Sequence, residues 1–157
     1  MRAIIGTALA TAAAAVVGSV ASRSSVDTWY REIDKPSYVP PDAVFPVAWT
    51  SLYTDIAVTS GKTLDRLGEQ GDSAQARSYA AALATNLVLN AGWSWLFFKH
   101  HKLGASTVAA AALTASSADL ARRTAAVSPV NGVALAPYPL WCGFATVLSF
   151  GVWRRNR

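Results

Sequence analysis

The chain has 157 residues, of which 52% are hydrophobic and only 15% charged, with 14 Lys and Arg against 9 Asp and Glu for a net charge of +5. Soluble domains carry roughly 25% charged residues, so this composition favours a bundle of membrane helices over a water-soluble domain. The single cysteine excludes a disulfide framework and a cysteine-type metal site.

The charged residues come in bursts, and the stretches between them are long enough to cross a hydrocarbon core of about 30 Å, which takes roughly 20 helical residues. Five such windows are predicted, at residues 3–21, 43–61, 78–98, 103–121 and 130–153. The fold class expected is therefore all-α, an integral membrane bundle of five transmembrane helices forming one domain over 1–157. The first window has a rival reading as a secretory signal, with Arg2 ahead of the apolar run and Ser19-Val20-Ala21 as a small-residue cleavage site. The second and fourth windows carry one aspartate each, Asp55 and Asp119, and the fourth is mostly Ala, Ser and Thr.

The connections are polar. Residues 22–42 form the first, residues 62–77 a longer loop with Gly61, Gly68 and Gly71, residues 99–102 a tight basic turn, and residues 122–129 a turn closed by Pro129. Five spans leave six Lys and Arg on one side and eight on the other, with Arg154, Arg155 and Arg157 in the larger set. The positive-inside rule then leans to a cytoplasmic C-terminus. The positive charge suits an anionic lipid surface, and its scatter over both faces speaks against nucleic acid as a partner.

The stretch WYREIDKPSYVPPDAVFPVAWTSLY, residues 29–53, holds six aromatics and four prolines. Each proline fixes its own φ, so Pro36, Pro40 and Pro41 make the first connection a structured lid over about 22–42. Its Trp29, Tyr30 and Tyr38 read either as an interfacial anchor or as the roof of a site. Phe45, Trp49, Leu52, Tyr53 and Ile56 continue the aromatic stripe down one side of the second helix. Asn86, Asn90, Trp93 and Phe97 share a face of the third, and Pro137, Trp141, Phe144 and Leu148 a face of the fifth. Such faces suit a small-molecule pocket between helices and equally suit helix packing through interhelical amide bonds.

Trp29-Tyr30, Lys35-Pro36, Pro40-Pro41, Phe45-Pro46 and Trp49-Thr50-Ser51-Leu52-Tyr53, followed by Leu89-Asn90-Ala91-Gly92-Trp93, Phe97-Phe98, Pro137-Tyr138, Trp141, Ala145-Thr146 and Leu148, resemble the signature of the TspO family. These are the tryptophan-rich sensory proteins related to the mitochondrial translocator protein or peripheral benzodiazepine receptor. The resemblance covers nearly the whole chain. It implies a five-helix membrane bundle, usually a homodimer, with a pocket under the first loop for a porphyrin or haem-type small molecule. The ligand-binding residues it implies are Trp29, Tyr38, Trp49, Tyr53, Asn86, Asn90, Tyr138 and Trp141, with no required cofactor, no metal and the porphyrin as ligand. A multi-pass protein of the bacterial cell membrane is expected. The chain departs from several relatives in having Ser37 and Ala43 where they carry a further tryptophan. Its end, with Phe150, Trp153 and Arg154, lacks the tyrosine of the proposed cholesterol motif.

Other features widen the functional choice. Asp55 lies about 120° around its helix from Trp49 and allows an ion or proton pathway apart from the pocket, or a paired carboxyl at a helix interface. His100 and His101 invite a haem-ligand reading or a headgroup-level one. Cys142 reads as a small buried apolar group, and Ala80 and Ala84 as a small-xxx-small face for dimer packing. The leading expectation is a tetrapyrrole-binding protein with a sensory or transport role in stress response. Light- and oxygen-dependent porphyrin breakdown and a small cation-coupled exporter built on Asp55 are the alternatives. No nucleophile–base pair or phosphate loop supports hydrolytic or phosphoryl chemistry, and the catalytic residues are unknown.

Overall fold

The computed structural model describes residues 2–157. Every regular element among them is helical: α1 Arg2–Arg23, α2 Trp29–Glu32, α3 Val44–Glu69, α4 Ser73–Ser94, a π-helical turn Trp95–Lys99, α5 Leu103–Val127, α6 Pro129–Leu135 and α7 Pro137–Arg155. The all-α expectation holds. Because α4 runs on into the π-helical turn and α6 leads into α7 across Ala136, the described chain forms five long rods, one for each predicted window. By length and composition, two of them, Arg2–Arg23 and Pro129–Arg155, are apolar enough to cross a membrane. The middle three are less apolar, since Asp55 and several Thr and Ser interrupt α3 and Ala, Ser and Thr dilute α4 and α5.

Two connections differ from the sequence reading. The loop expected over 62–77 is helical up to Glu69 and again from Ser73, so the reversal takes only residues 70–72. Gly71 makes it possible by adopting φ +72°, a left-handed conformation that glycine enters without a Cβ clash. Asp72 then caps α4 by accepting a bond from the Gln75 backbone N–H at 2.9 Å. Gly61 does not turn the chain at all. It sits inside α3 against Ile4 of α1, where any Cβ would collide with the Ile4 backbone and side chain. Likewise α5 continues to Val127, beyond the expected turn at 122, and stops where Ser128 takes an extended conformation and Pro129 opens α6.

The helices are apolar outward and small or polar inward. On α1, Thr7, Thr11, Ala14, Gly18 and Ala21 recur at helical spacing and are buried, whereas Ile5 and Leu9 are 66% and 68% exposed. Thr7 Oγ1 donates to the Ala57 carbonyl of α3 at 2.7 Å. Small side chains let helix backbones approach closely, and lipid replaces water as the partner of the outer apolar face. The same inversion recurs where Val88, Val108 and Leu140 are exposed while Asn86, Ser117 and Ser149 are buried.

α1 packs mainly on α3 and α4, and α5 on α7 and α4. One apolar cluster, with Leu52, Ile56, Leu83, Leu87, Leu113 and Leu120, fills one part of the bundle. A second, with Tyr30, Trp93, Phe97, Leu148 and Val152, lies beneath the first connection.

That connection is fixed at several points, as its prolines require of a lid. The Ser25 hydroxyl donates to the Phe98 carbonyl. The Asp34 N–H donates to Asn156 Oδ1 at 3.0 Å, and Asn156 Nδ2 returns a bond to the Asp34 carbonyl at 2.8 Å. Tyr38 donates to the Val147 carbonyl at 3.2 Å. Pro36 and Tyr38 occupy the space that a Cβ at Gly151 would need. The lid is thereby tied both to α7 and to the π-helical turn.

Candidate ligand-binding cavity

Where the lid meets the bundle, α1, α3, α4 and α7 enclose a cavity of ≈ 440 Å³. Small-molecule pockets span roughly 300–1,000 Å³ and are lined mostly by apolar and aromatic side chains with a few polar groups. Here the aromatic share comes from Tyr30 of the lid, Phe45, Trp49 and Tyr53 of α3, and Trp93, Phe97 and Phe98 of α4 and its π-helical turn. The turn has a consequence for the lining, since one residue more per turn brings the consecutive rings of Phe97 and Phe98 both onto it, 4.8 Å apart. On α1, Ala15, Gly18, Ser19 and Ser22 make a wall of small side chains.

Trp49 is the hub of the rings. Its indole stacks on Tyr53 at 5.6 Å, faces Trp93 at 6.1 Å and meets Trp141 edge-on at 6.3 Å. Trp93 fixes its own indole by donating to Ser149 of α7 at 3.2 Å. Trp141 packs on Phe45 and Phe144. Among the described residues, its Nε1 is the only buried side-chain nitrogen or oxygen without a hydrogen-bond partner.

Behind Tyr53 runs a directional chain of hydrogen bonds. Tyr53 donates to Asn90 Oδ1 at 2.9 Å, Asn90 Nδ2 donates to the Tyr138 hydroxyl at 3.1 Å, and that hydroxyl donates to Asn86 Oδ1 at 2.7 Å. Asn86 Nδ2 continues to Ser117 at 3.1 Å. Asn86, Asn90 and Tyr138 are almost fully buried, and each finds partners, as amides and phenols must inside hydrocarbon.

Of the eight residues expected at the site, Trp49 and Tyr53 line the cavity directly. Asn90 is one hydrogen bond beyond the lining, Tyr138 two and Asn86 three. Trp141 supports Trp49 from behind. Trp29 stacks on His101 at 3.8 Å and meets Phe97 edge-on at 5.8 Å, so it backs a lining ring. Tyr38 is half exposed on the outer side of α7. Asp55, His100, His101 and Cys142 lie outside the lining. Cys142 is buried, with its sulfur 3.5 Å from the Ser117 hydroxyl.

The sequence leaves Tyr30 open between an interfacial anchor and the roof of a site, and does not place Phe98, Asp42 or the α1 wall there. Tyr30 is adjacent to Trp29 and is the lid aromatic that turns inward, while Lys35 donates to its carbonyl and lies 4.4 Å over its ring. Burial and, second, the Asp42 carboxylate push its phenol up to about 12. The recurring Ala15–Gly18–Ser22 spacing was the available signal for α1.

An all-helical bundle with apolar outer faces, a pinned proline-rich lid and an aromatic cavity beneath it defines a small helical membrane protein with an internal ligand-sized site. The chain belongs to the TspO/MBR family, which it matches over residues 6–154. It is 30% identical over 144 residues to Protein CrtK of Rhodobacter capsulatus, covering 92% of this chain and 88% of that one. It is also 30% identical over 152 residues to the translocator protein of Homo sapiens, covering 97% and 89%. With the tryptophan-rich sensory protein of Cereibacter sphaeroides it shares 30% identity over 130 residues, covering 83% and 78%. Relatives with translocator and sensory names thus align along most of their length.

Proposed function

We propose that this chain crosses a bacterial cell membrane five times, binds a porphyrin or haem-type tetrapyrrole beneath its lid, and serves a sensory or transport role in stress response. The observation that carries the reading is the ≈ 440 Å³ cavity ringed by seven aromatic side chains. A flat conjugated macrocycle presents two faces on which such rings stack. Tyr30 offers a hydroxyl to its polar edge, while the Tyr53, Ser19 and Ser22 hydroxyls, already donating to Asn90 and to α1 carbonyls, can only accept. The names of relatives, translocator protein and tryptophan-rich sensory protein, support a role in moving or sensing a small molecule. The exposed Ala80 and Ala84 on α4 provide a small-residue face for a homodimer.

The test is titration of the protein in lipid nanodiscs with protoporphyrin IX, read by tryptophan emission. Saturable quenching is expected, and Ala15→Phe, which fills the cavity from α1, should abolish it. Quenching no greater than that given by an unrelated tryptophan-bearing membrane protein overturns the reading.

A second reading, porphyrin breakdown driven by light and oxygen, is favoured by one observation. Trp93 and Trp141 both stand within about 6 Å of Trp49, an array of oxidisable indoles around any bound chromophore. New absorbing products under light and oxygen, absent in darkness or under argon, separate chemistry from binding.

A further inference from the structure

The cavity lining divides into a buried and an exposed part. Its exposed residues are Val16, Pro46 and Thr50 on the outward sides of α1 and α3, and Asp42 at the end of the lid, and among these Asp42 alone carries charge. Among the described residues, no lysine, arginine or histidine lines the cavity. Among the described residues the Asp42 side chain has no hydrogen bond or ion pair, its backbone carbonyl alone accepting from the Phe45 N–H. Lys35 keeps its charge but is held against the Tyr30 carbonyl and ring and does not line the cavity.

These facts constrain where a ligand can keep its charges. An ionised group left unpaired among Trp49, Trp93, Phe97 and Leu148 would lose its hydration without a counter-charge. It has to stay at the exposed mouth, and there it meets Asp42. A carboxylate at that position is repelled, a neutral ester or amide is tolerated, and an ammonium is attracted, with screening by salt because Asp42 is exposed on the lid, ahead of α3. The influence of Asp42 on the phenol of Tyr30 is the same field acting on a group within the protein.

We propose that Asp42 determines the charge class of ligand this cavity accepts, favouring ring systems whose solvent-facing edge is neutral or cationic over the same skeleton ending in carboxylates. The proposal rests on the tetrapyrrole reading of the cavity and narrows it: a porphyrin with esterified or amidated acid side chains binds more tightly than the free diacid. Attractive contacts to the rings are shared by all such ligands, so the discrimination comes from the repulsive element at the mouth.

Three porphyrins on one skeleton test it in zwitterionic nanodiscs at low salt: protoporphyrin IX, its dimethyl ester, and its bis-amide with ethylenediamine. Wild-type affinity should rise in that order. Asp42→Asn should improve the diacid about three- to tenfold relative to the ester, and Asp42→Lys should reverse the order of diacid and diamine. Both effects should shrink in high salt. Because each ligand is compared between wild type and variant, differences in membrane partitioning cancel. A diacid-to-diamine ratio unchanged within about twofold in both variants overturns the role of Asp42.

The pair 1-pyrenebutyrate and 1-pyrenebutylamine, read by the same quenching, separates this from failure of the tetrapyrrole reading. If no porphyrin binds while the amine outcompetes the acid in wild type only, the charge selection stands and the tetrapyrrole reading falls. Equal binding of the two pyrenes in wild type and Asp42→Asn, or binding of no ring system at all, overturns the selection as well.

Discussion

The hydroxyl of Tyr138 donates to Oδ1 of Asn86 at 2.7 Å, joining α7 to α4 in a part of the bundle where neither group meets water. The same hydroxyl accepts from Asn90, so Tyr138→Phe leaves two amides short of a partner. Interhelical hydrogen bonds in membranes contribute about 0.6–2 kcal/mol, less than the full desolvation penalty, because the unfolded helices find other partners in the bilayer. Tyr138→Phe should therefore lower stability by roughly 1–2 kcal/mol, measured as a shift in denaturation by SDS in mixed micelles. No shift would mean that the amides re-pair without the phenol.

Trp49 touches the cavity and Trp141 supports it from behind, and this difference in position should appear in affinity. Trp49→Ala should weaken protoporphyrin binding by on the order of 1 kcal/mol or somewhat more, judged by aromatic pair energies. Trp141→Ala should weaken it by less, since its effect passes through the orientation of Trp49. Equal affinities in both folded variants and the wild type would remove the two residues from the site.

Gly61 and Gly68 lie on the same helix but face different surroundings. A Cβ at Gly61 meets the backbone and side chain of Ile4, while nothing lies within 4 Å of one at Gly68. Gly61→Ala should force α1 away from α3 and destabilise by about 1–3 kcal/mol. Gly68→Ala should stabilise by about 0.4–1 kcal/mol through the lower entropy of the unfolded chain. Thermal melts of the two variants beside the wild type check both signs at once.

Asp55 sits on α3 outside the cavity lining, and Asp55→Asn should leave porphyrin affinity within about twofold, less than half a kcal/mol. Loss of binding in a folded Asp55→Asn protein would place the carboxyl in the ligand site after all.

The chemistry reading carries a prediction of its own. Trp49→Phe keeps a ring for stacking and removes the more easily oxidised indole, so protoporphyrin binding should persist while product formation under light and oxygen falls. Single-turnover absorbance changes, compared with quenching on the same sample, measure the two separately. Product formed in darkness at the illuminated rate would rule out photochemistry.

Local sequence determined a good deal here. Five runs between charge bursts marked five helical rods, one to each run. The 3.6-residue period put Asn86, Asn90, Trp93 and Phe97 on one face, and all four are buried together. The order of aromatic and proline motifs was enough to indicate the family. What the period cannot say is which face meets which, since it relates residues along one helix and carries nothing about a neighbour. Only the packed bundle turned Tyr30 inward and left Tyr38 on the outside of α7, residues that composition makes equivalent. Only packing gave Gly61 its purpose as a crossing point, where the sequence offered a turn. The π-helical turn that brings Phe97 and Phe98 together, the wall of small residues from α1, and the lone carboxylate of Asp42 at the mouth all depend on contacts between segments far apart in the chain. The side chains that make the cavity were therefore written in the sequence, while the cavity itself exists only because distant helices leave that space between them.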